Sequence, residues 1–108
     1  MQKNELLQGT LDMLILKVLQ REPQHGFGIA EKIMRLSDEA LKVGEGSLYP
    51  ALYRLQDRGF IDSEWGQSEN NRRAKFYRLT AKGRKQLETE AVTWEEMCDA
   101  IARVMKMA

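Results

Sequence analysis

One cysteine, one histidine and two prolines are all that 108 residues supply of those types. Cys98 has no second thiol to pair with, and His25 alone cannot complete a structural metal site with it. That scarcity points to a reducing compartment, the cytosol. No apolar run is long enough to cross a bilayer, since the most apolar stretch, residues 11–19, is short and holds Asp12 and Lys17. The N-terminus also lacks the basic region, apolar run and cleavage site of a signal peptide. A soluble cytoplasmic protein with no membrane partner is expected. Catalytic constellations are missing as well. No nucleophile–base pair, carboxylate dyad, phosphate-cradling glycine loop or ligand cluster can be assembled, which argues against an enzyme and requires no cofactor.

What is present suits one globular domain. Hydrophobic residues make up 43% and charged residues 31%, enough for a single core and too apolar for a disordered chain. The net charge is only +1, but its distribution is uneven. Between Asn70 and Leu87 lie Arg72, Arg73, Lys75, Arg78, Lys82, Arg84 and Lys85, and no acid. From Glu88 onward five acids face two cations, Arg103 and Lys106. A basic segment followed by an acidic tail fits a polyanion held on one side only.

Residues 46–58 form the most informative stretch. Leu48, Leu52 and Leu55, with Ala51, mark one helical face as core. The opposite face carries Gly46, Pro50, Tyr53 and Asp57, flanked by Ser47, Tyr49 and Arg54. Small groups, phenols and a guanidinium replace the usual water-facing Lys and Glu. Such a face either touches a partner or is an amphipathic helix with an unusual surface. Ser47 as N-cap would place Pro50 in the first turn, where its missing N–H is harmless; a start at Gly44 would leave a lost hydrogen bond and a kink.

Around that helix the order of elements is regular. Residues 6–20 predict a first helix, with Leu7, Leu11, Leu14 and Val18 in a stripe widened by Ile15 and Leu19. Gly9-Thr10 marks either its true start or an early interruption, and Glu22-Pro23 ends it. His25-Gly26-Phe27-Gly28 is a turn into a second helix over about residues 27–36, and His25 has a turn or packing role there. A connector follows over residues 37–44, with residues 41–43 briefly extended. Gly59 stops the third helix. Residues 60–65 alternate as a strand, with Ile61 and Trp65 on one face, and residues 75–79 form the second strand of a hairpin. Thr80 caps a last helix whose apolar positions, Leu87, Ala91, Trp94, Cys98, Ile101, Met105 and Ala108, recur every four and three residues. That is a coiled-coil seam on a helix on the order of 40 Å long. A domain this small cannot cover it, so pairing with a second copy is expected alongside packing on the first helix.

Three helices followed by a hairpin is the order of a winged helix-turn-helix, here mainly α with a small β-hairpin (α+β). The expected organisation is a DNA-binding unit over residues 1–79 and a C-terminal dimerisation helix over residues 80–108, in one compact body. Ser47, Tyr49, Pro50, Tyr53 and Arg54 would meet double-stranded DNA from the helix 46–58. Asn71, Arg72, Arg73 and Lys75 would grip it from the wing 66–78. Leu87, Ala91, Trp94, Cys98, Ile101 and Met105 would join the homodimer. A different class of function, a winged-helix dimer whose cations face an acidic protein, would lack steep salt-dependent duplex binding.

The chain closely resembles the short members of the PadR family of transcriptional regulators, those with a single C-terminal helix. The resemblance is carried by Gly9-Thr10-Leu11-Asp12, by His25-Gly26-Phe27-Gly28-Ile29 and by Gly46-Ser47-Leu48-Tyr49-Pro50-Ala51-Leu52. It continues in Arg54-Leu55, Gly59-Phe60-Ile61, the run from Arg72 to Thr80, and Gly83. It implies a homodimer joined through the last helix and bound to a two-fold operator, usually as a repressor. It also implies that a small planar aromatic or phenolic effector could bind between subunits near Trp94. Gly44-Glu45 stands where many relatives have a Ser-Pro-like pair, and Tyr53 where another polar ring or a histidine is common, so an operator sequence does not transfer.

Overall fold

The structure is a computed structural model and describes residues 3–107, with side chains from residue 10 onward. The chain runs α1 (Lys3–Arg21), β1 (Gln24–His25), α2 (Gly26–Leu36), α3 (Glu45–Asp57), β2 (Ile61–Gln67), β3 (Arg73–Leu79) and α4 (Ala81–Met105). This is the expected α+β winged-helix order with its long last helix. One element was not expected: β1 adds a third antiparallel strand, giving the sheet order β1-β3-β2.

α1 is the central helix. Leu11, Ile15, Leu16, Val18 and Leu19 are all buried, against Ile29 and Ile33 of α2 and Leu48, Ala51, Leu52 and Leu55 of α3. It runs unbroken through Gly9 and Thr10, so these residues neither start nor interrupt it. The expected place of Leu7 on the stripe lies outside the described side chains, as does that of Ala108 on the seam.

His25 works as a cap. Its Nδ1 accepts a hydrogen bond from the Gly28 amide at 3.0 Å, closing the first turn of α2, while its ring meets Phe76 edge-on at 5.3 Å. Strand pairing explains why it can do both, because His25 lies opposite Phe76 and Gln24 opposite Tyr77. Residues 41–43 do not form a strand; Leu41 and Val43 instead lean half-buried against the core.

α3 starts earlier than Ser47. The amides of Ser47 and Leu48 both bond to the Gly44 carbonyl, at 3.1 and 3.0 Å, so the first turn closes around extended Gly44 without a side-chain cap. Pro50 therefore sits inside the helix, where it offers no N–H to the Gly46 carbonyl, yet α3 remains one segment. Its end is as expected. Gly59, at φ +82°, lets the amides of Phe60 and Gly59 bond back to Leu55 and Gln56, both at 3.0 Å.

β2 and β3 pair from Ile61↔Leu79 out to Gln67↔Arg73, a longer hairpin than the alternation alone suggested. Thr80 caps α4 by accepting from the Gly83 amide at 3.0 Å and also donates to the Gly59 carbonyl at 2.7 Å, which locks the start of α4 onto the end of α3. Leu87 is the last buried residue of α4. Every residue from Ala91 to Met107 is exposed within one chain. Trp94, at 41% exposure, is thus not packed under the first helix. The reason is reach: beyond Leu87 α4 runs past the core, and the chain as a whole measures 56 Å along its long axis against 28 and 21 Å across.

Candidate nucleic-acid interface

The leucine stripe of α3 faces α1, which turns Gly46, Pro50, Tyr53 and Asp57 to solvent. Tyr53 is the most prominent, at 74% exposure. Tyr49 leans back. Its ring lies over Gly26, where an added Cβ would stand 2.8 Å from the phenol oxygen, so the glycine at the start of α2 makes room for a residue of α3. The buried Tyr77 phenol is close by, and its pKa is raised by burial first and by Tyr49 second. Ser47 is half-buried on the other flank.

Arg54 is not a free cation. Its Nη2 donates to Asp12 Oδ1 of α1 at 2.9 Å, and the two side chains keep 34% and 20% of their surface. The pair is not legible along the chain because its members are 42 residues apart in sequence.

The wing cations fall into different states. Asn71 turns the hairpin at φ +62°, and Arg72, Arg73 and Lys75 project from the same end, all exposed. Arg73 lies over the Trp65 indole, with its guanidinium carbon 4.5 Å from the ring centroid. Arg78 points to the other sheet face. There it is paired with Asp62 at 3.0 Å and Glu64 at 3.4 Å, and its pKa rises chiefly through the hydrogen bond to Asp62. The segment that reads as acid-free in sequence thus has acids supplied across the strand pair. Lys82 is also engaged, donating to the Arg58 carbonyl at 2.9 Å. Of the wing cations, Arg72, Arg73 and Lys75 remain for a polyanion.

Helix and wing are tied together by Ser63 Oγ, which donates to Gln56 Oε1 at 3.3 Å. Ser63 shares its sheet face with Trp65, Lys75 and Arg73, so this is the face that continues outward from α3. Toward the opposite face lies a shallow cleft of about 210 Å³ lined by Pro23, Trp65, Phe76 and the Arg78 cluster, with no nucleophile converging on it. Among the described residues no acidic, His or Cys group is placed to hold a metal ion, and no helix is long and apolar enough to cross a membrane.

Trp65 is the residue that the sequence reading left out of the site. Its alternation with Ile61 put it on the correct face but suggested burial, and at 56% exposure it lies past the edge of the core.

Comparison with known proteins agrees with this geometry. Residues 15–89 match the model of the transcriptional regulator PadR-like family. A transcriptional regulator from Clostridium thermocellum superposes with a TM-score of 0.86 at 29% identity, covering 94% of this chain and 99% of that one. A PadR family transcriptional regulator from Eggerthella lenta is 32% identical, with a TM-score of 0.79 over 96% of this chain and 88% of that one. A PadR-like transcriptional regulator from Bacillus cereus gives 0.82 at 27% identity, over 96% and 99%. Proteins of this family regulate transcription and are not enzymes. The chain belongs to the PadR-like family and is a DNA-binding transcriptional regulator.

Proposed function

We propose that two copies of the chain join through α4 and bind a two-fold operator as a repressor. In this reading α3 enters the major groove, with Tyr53 and Pro50 against base edges and Ser47, Tyr49 and Arg54 at the flanks. Asn71, Arg72, Arg73 and Lys75 hold the adjacent backbone. The observation that carries this reading is the pairing of a bare, nearly uncharged α3 face with three uncommitted wing cations beside it. A repressor then acts by occupying its promoter, and two recognition helices about 34–36 Å apart fit successive turns of one DNA face. The exposed positions Ala91, Trp94, Cys98, Ile101 and Met105 supply the joining surface. A planar aromatic or phenolic effector lodged beside Trp94 would release DNA by favouring another spacing of the two helices. The site of action is the cytoplasm, with the promoter.

Operators selected from random duplexes test this reading. Arg73→Ala should weaken all duplexes alike and lower the salt slope by about one per wing, whereas Tyr53→Ala should change which sequences are preferred. Unchanged selection by Tyr53→Ala would remove α3 from base reading.

A further inference from the structure

The wing carries three arginines in three different environments. Arg78 is consumed by Asp62 and Glu64. Arg72 is exposed in the turn, its backbone carbonyl accepting from Ser68 at 2.8 Å. Arg73 has no carboxylate partner among the described residues and rests on the Trp65 indole instead. We propose that Trp65 is a positioning residue that holds Arg73 ready for a DNA phosphate.

Register brings the two together. Trp65 pairs directly with Lys75, and Arg73 pairs with Gln67 one step nearer the tip, so indole and guanidinium are diagonal neighbours on one sheet face. That face is buried at its inner end, by Ile61 and Tyr77, and open at its outer end. A tryptophan more than half exposed there covers no core. A guanidinium held over an indole face spends none of its N–H donors on a carboxylate. A carboxylate partner, like those of Arg78, would occupy that fork. The stack restricts the long arginine side chain without using its hydrogen bonds, so less freedom is lost when a phosphate arrives. Lys75, opposite Trp65, adds a second charge to the same face.

The inference rests on the DNA-binding reading above and is separated from it by a charge-conserving variant. Binding of the full chain to a labelled mixed-sequence duplex is followed across a salt series for wild type, Trp65→Leu, Trp65→Phe, Arg73→Ala and Trp65→Leu/Arg73→Ala. Arg73→Ala should lose both affinity and about one unit of salt slope per wing. Trp65→Leu removes no charge, so it should lose roughly two- to tenfold in affinity per wing with the slope unchanged. Trp65→Phe, which keeps a ring face, should recover most of that loss. In the Arg73→Ala background, Trp65→Leu should cost nothing more. Equal binding by wild type and Trp65→Leu, or a full extra loss in the double variant, overturns the positioning role while leaving the DNA-binding reading intact. Thermal unfolding of each variant separates this from a weakened hairpin: a loss of binding that tracks the fall in Tm and is not recovered by Trp65→Phe also overturns it. Absence of any salt-dependent binding by wild type overturns both.

Discussion

The carboxylate of Asp12 on α1 and the guanidinium of Arg54 on α3 meet at 2.9 Å, tying the helix with the outward phenols to the centre of the core by charge. Partial burial decides what that contact is worth. The side chains retain 20% and 34% of their surface, so solvent screens the pair and its contribution is about 1 kcal/mol. Asp12→Asn should therefore lower the unfolding free energy by that amount, seen as a lower urea midpoint with little change in m-value. It should also free the Arg54 fork and remove an acid, raising affinity for mixed-sequence duplexes. If duplex affinity falls together with stability, Asp12 instead holds Arg54 in its DNA-contacting pose.

Gly83 offers a test of the join between α3 and α4. An alanine inside a helix usually stabilises by about 0.5–1 kcal/mol relative to glycine. Here the sign should reverse. The new Cβ would run into the Phe60 carbonyl oxygen, which already accepts from the Thr80 amide, and would lie 2.9 Å from Leu79 Cδ1. Backbone cannot yield as a side-chain tip would, so Gly83→Ala should cost roughly 1–3 kcal/mol or more in chemical unfolding.

The seam prediction uses charge. Ile101, at 53% exposure, and Met105, at 77%, have no cover within one chain. With both replaced by Glu, self-pairing would set like charges opposite one another. Sedimentation of the double variant should show monomers, and duplex affinity should fall with them. A dimer of unchanged mass would mean that the interface lies elsewhere.

Trp94 is tested by its own emission. With Trp65→Phe removing the other indole, planar aromatic cations and phenolic acids are titrated while Trp94 fluorescence is followed. Saturable quenching by a compound whose binding, followed by calorimetry, is lost in Trp94→Ala supports an effector site with indole walls. If none of the compounds quenches saturably, Trp94 is part of the joining surface and nothing more.

Most of the fold was legible because period and punctuation agreed. The leucine stripe of α3, Gly59 at its end, the alternation of β2 and the Thr80 cap each have a local cause. What escaped depended on distance or competition. β1 spans only Gln24 and His25, too short for alternation to show, and it exists because β3 has a free edge for it to pair with. Ser47 is a better cap by residue type than Gly44, but backbone bonds to the Gly44 carbonyl settled the start. Asp12 and Arg54, like Arg78 and Asp62, are partners that only tertiary structure introduces. Trp65 obeyed its period and still emerged into solvent, because the sheet extends further than the core beneath it.

The length of α4 beyond Leu87 has a consequence for dosage. No side chain from Ala91 to Met107 is buried by its own chain, and an isolated helical segment of this size is marginal in water. With the self-pairing proposed above, ordering of that segment and assembly become one event, and the melting temperature rises with protein concentration. At low abundance the paired form then grows as the square of the chain concentration. A modest change in synthesis would become a larger change in promoter occupancy, so the exposed helix would act as a threshold on how much regulator must accumulate before it counts.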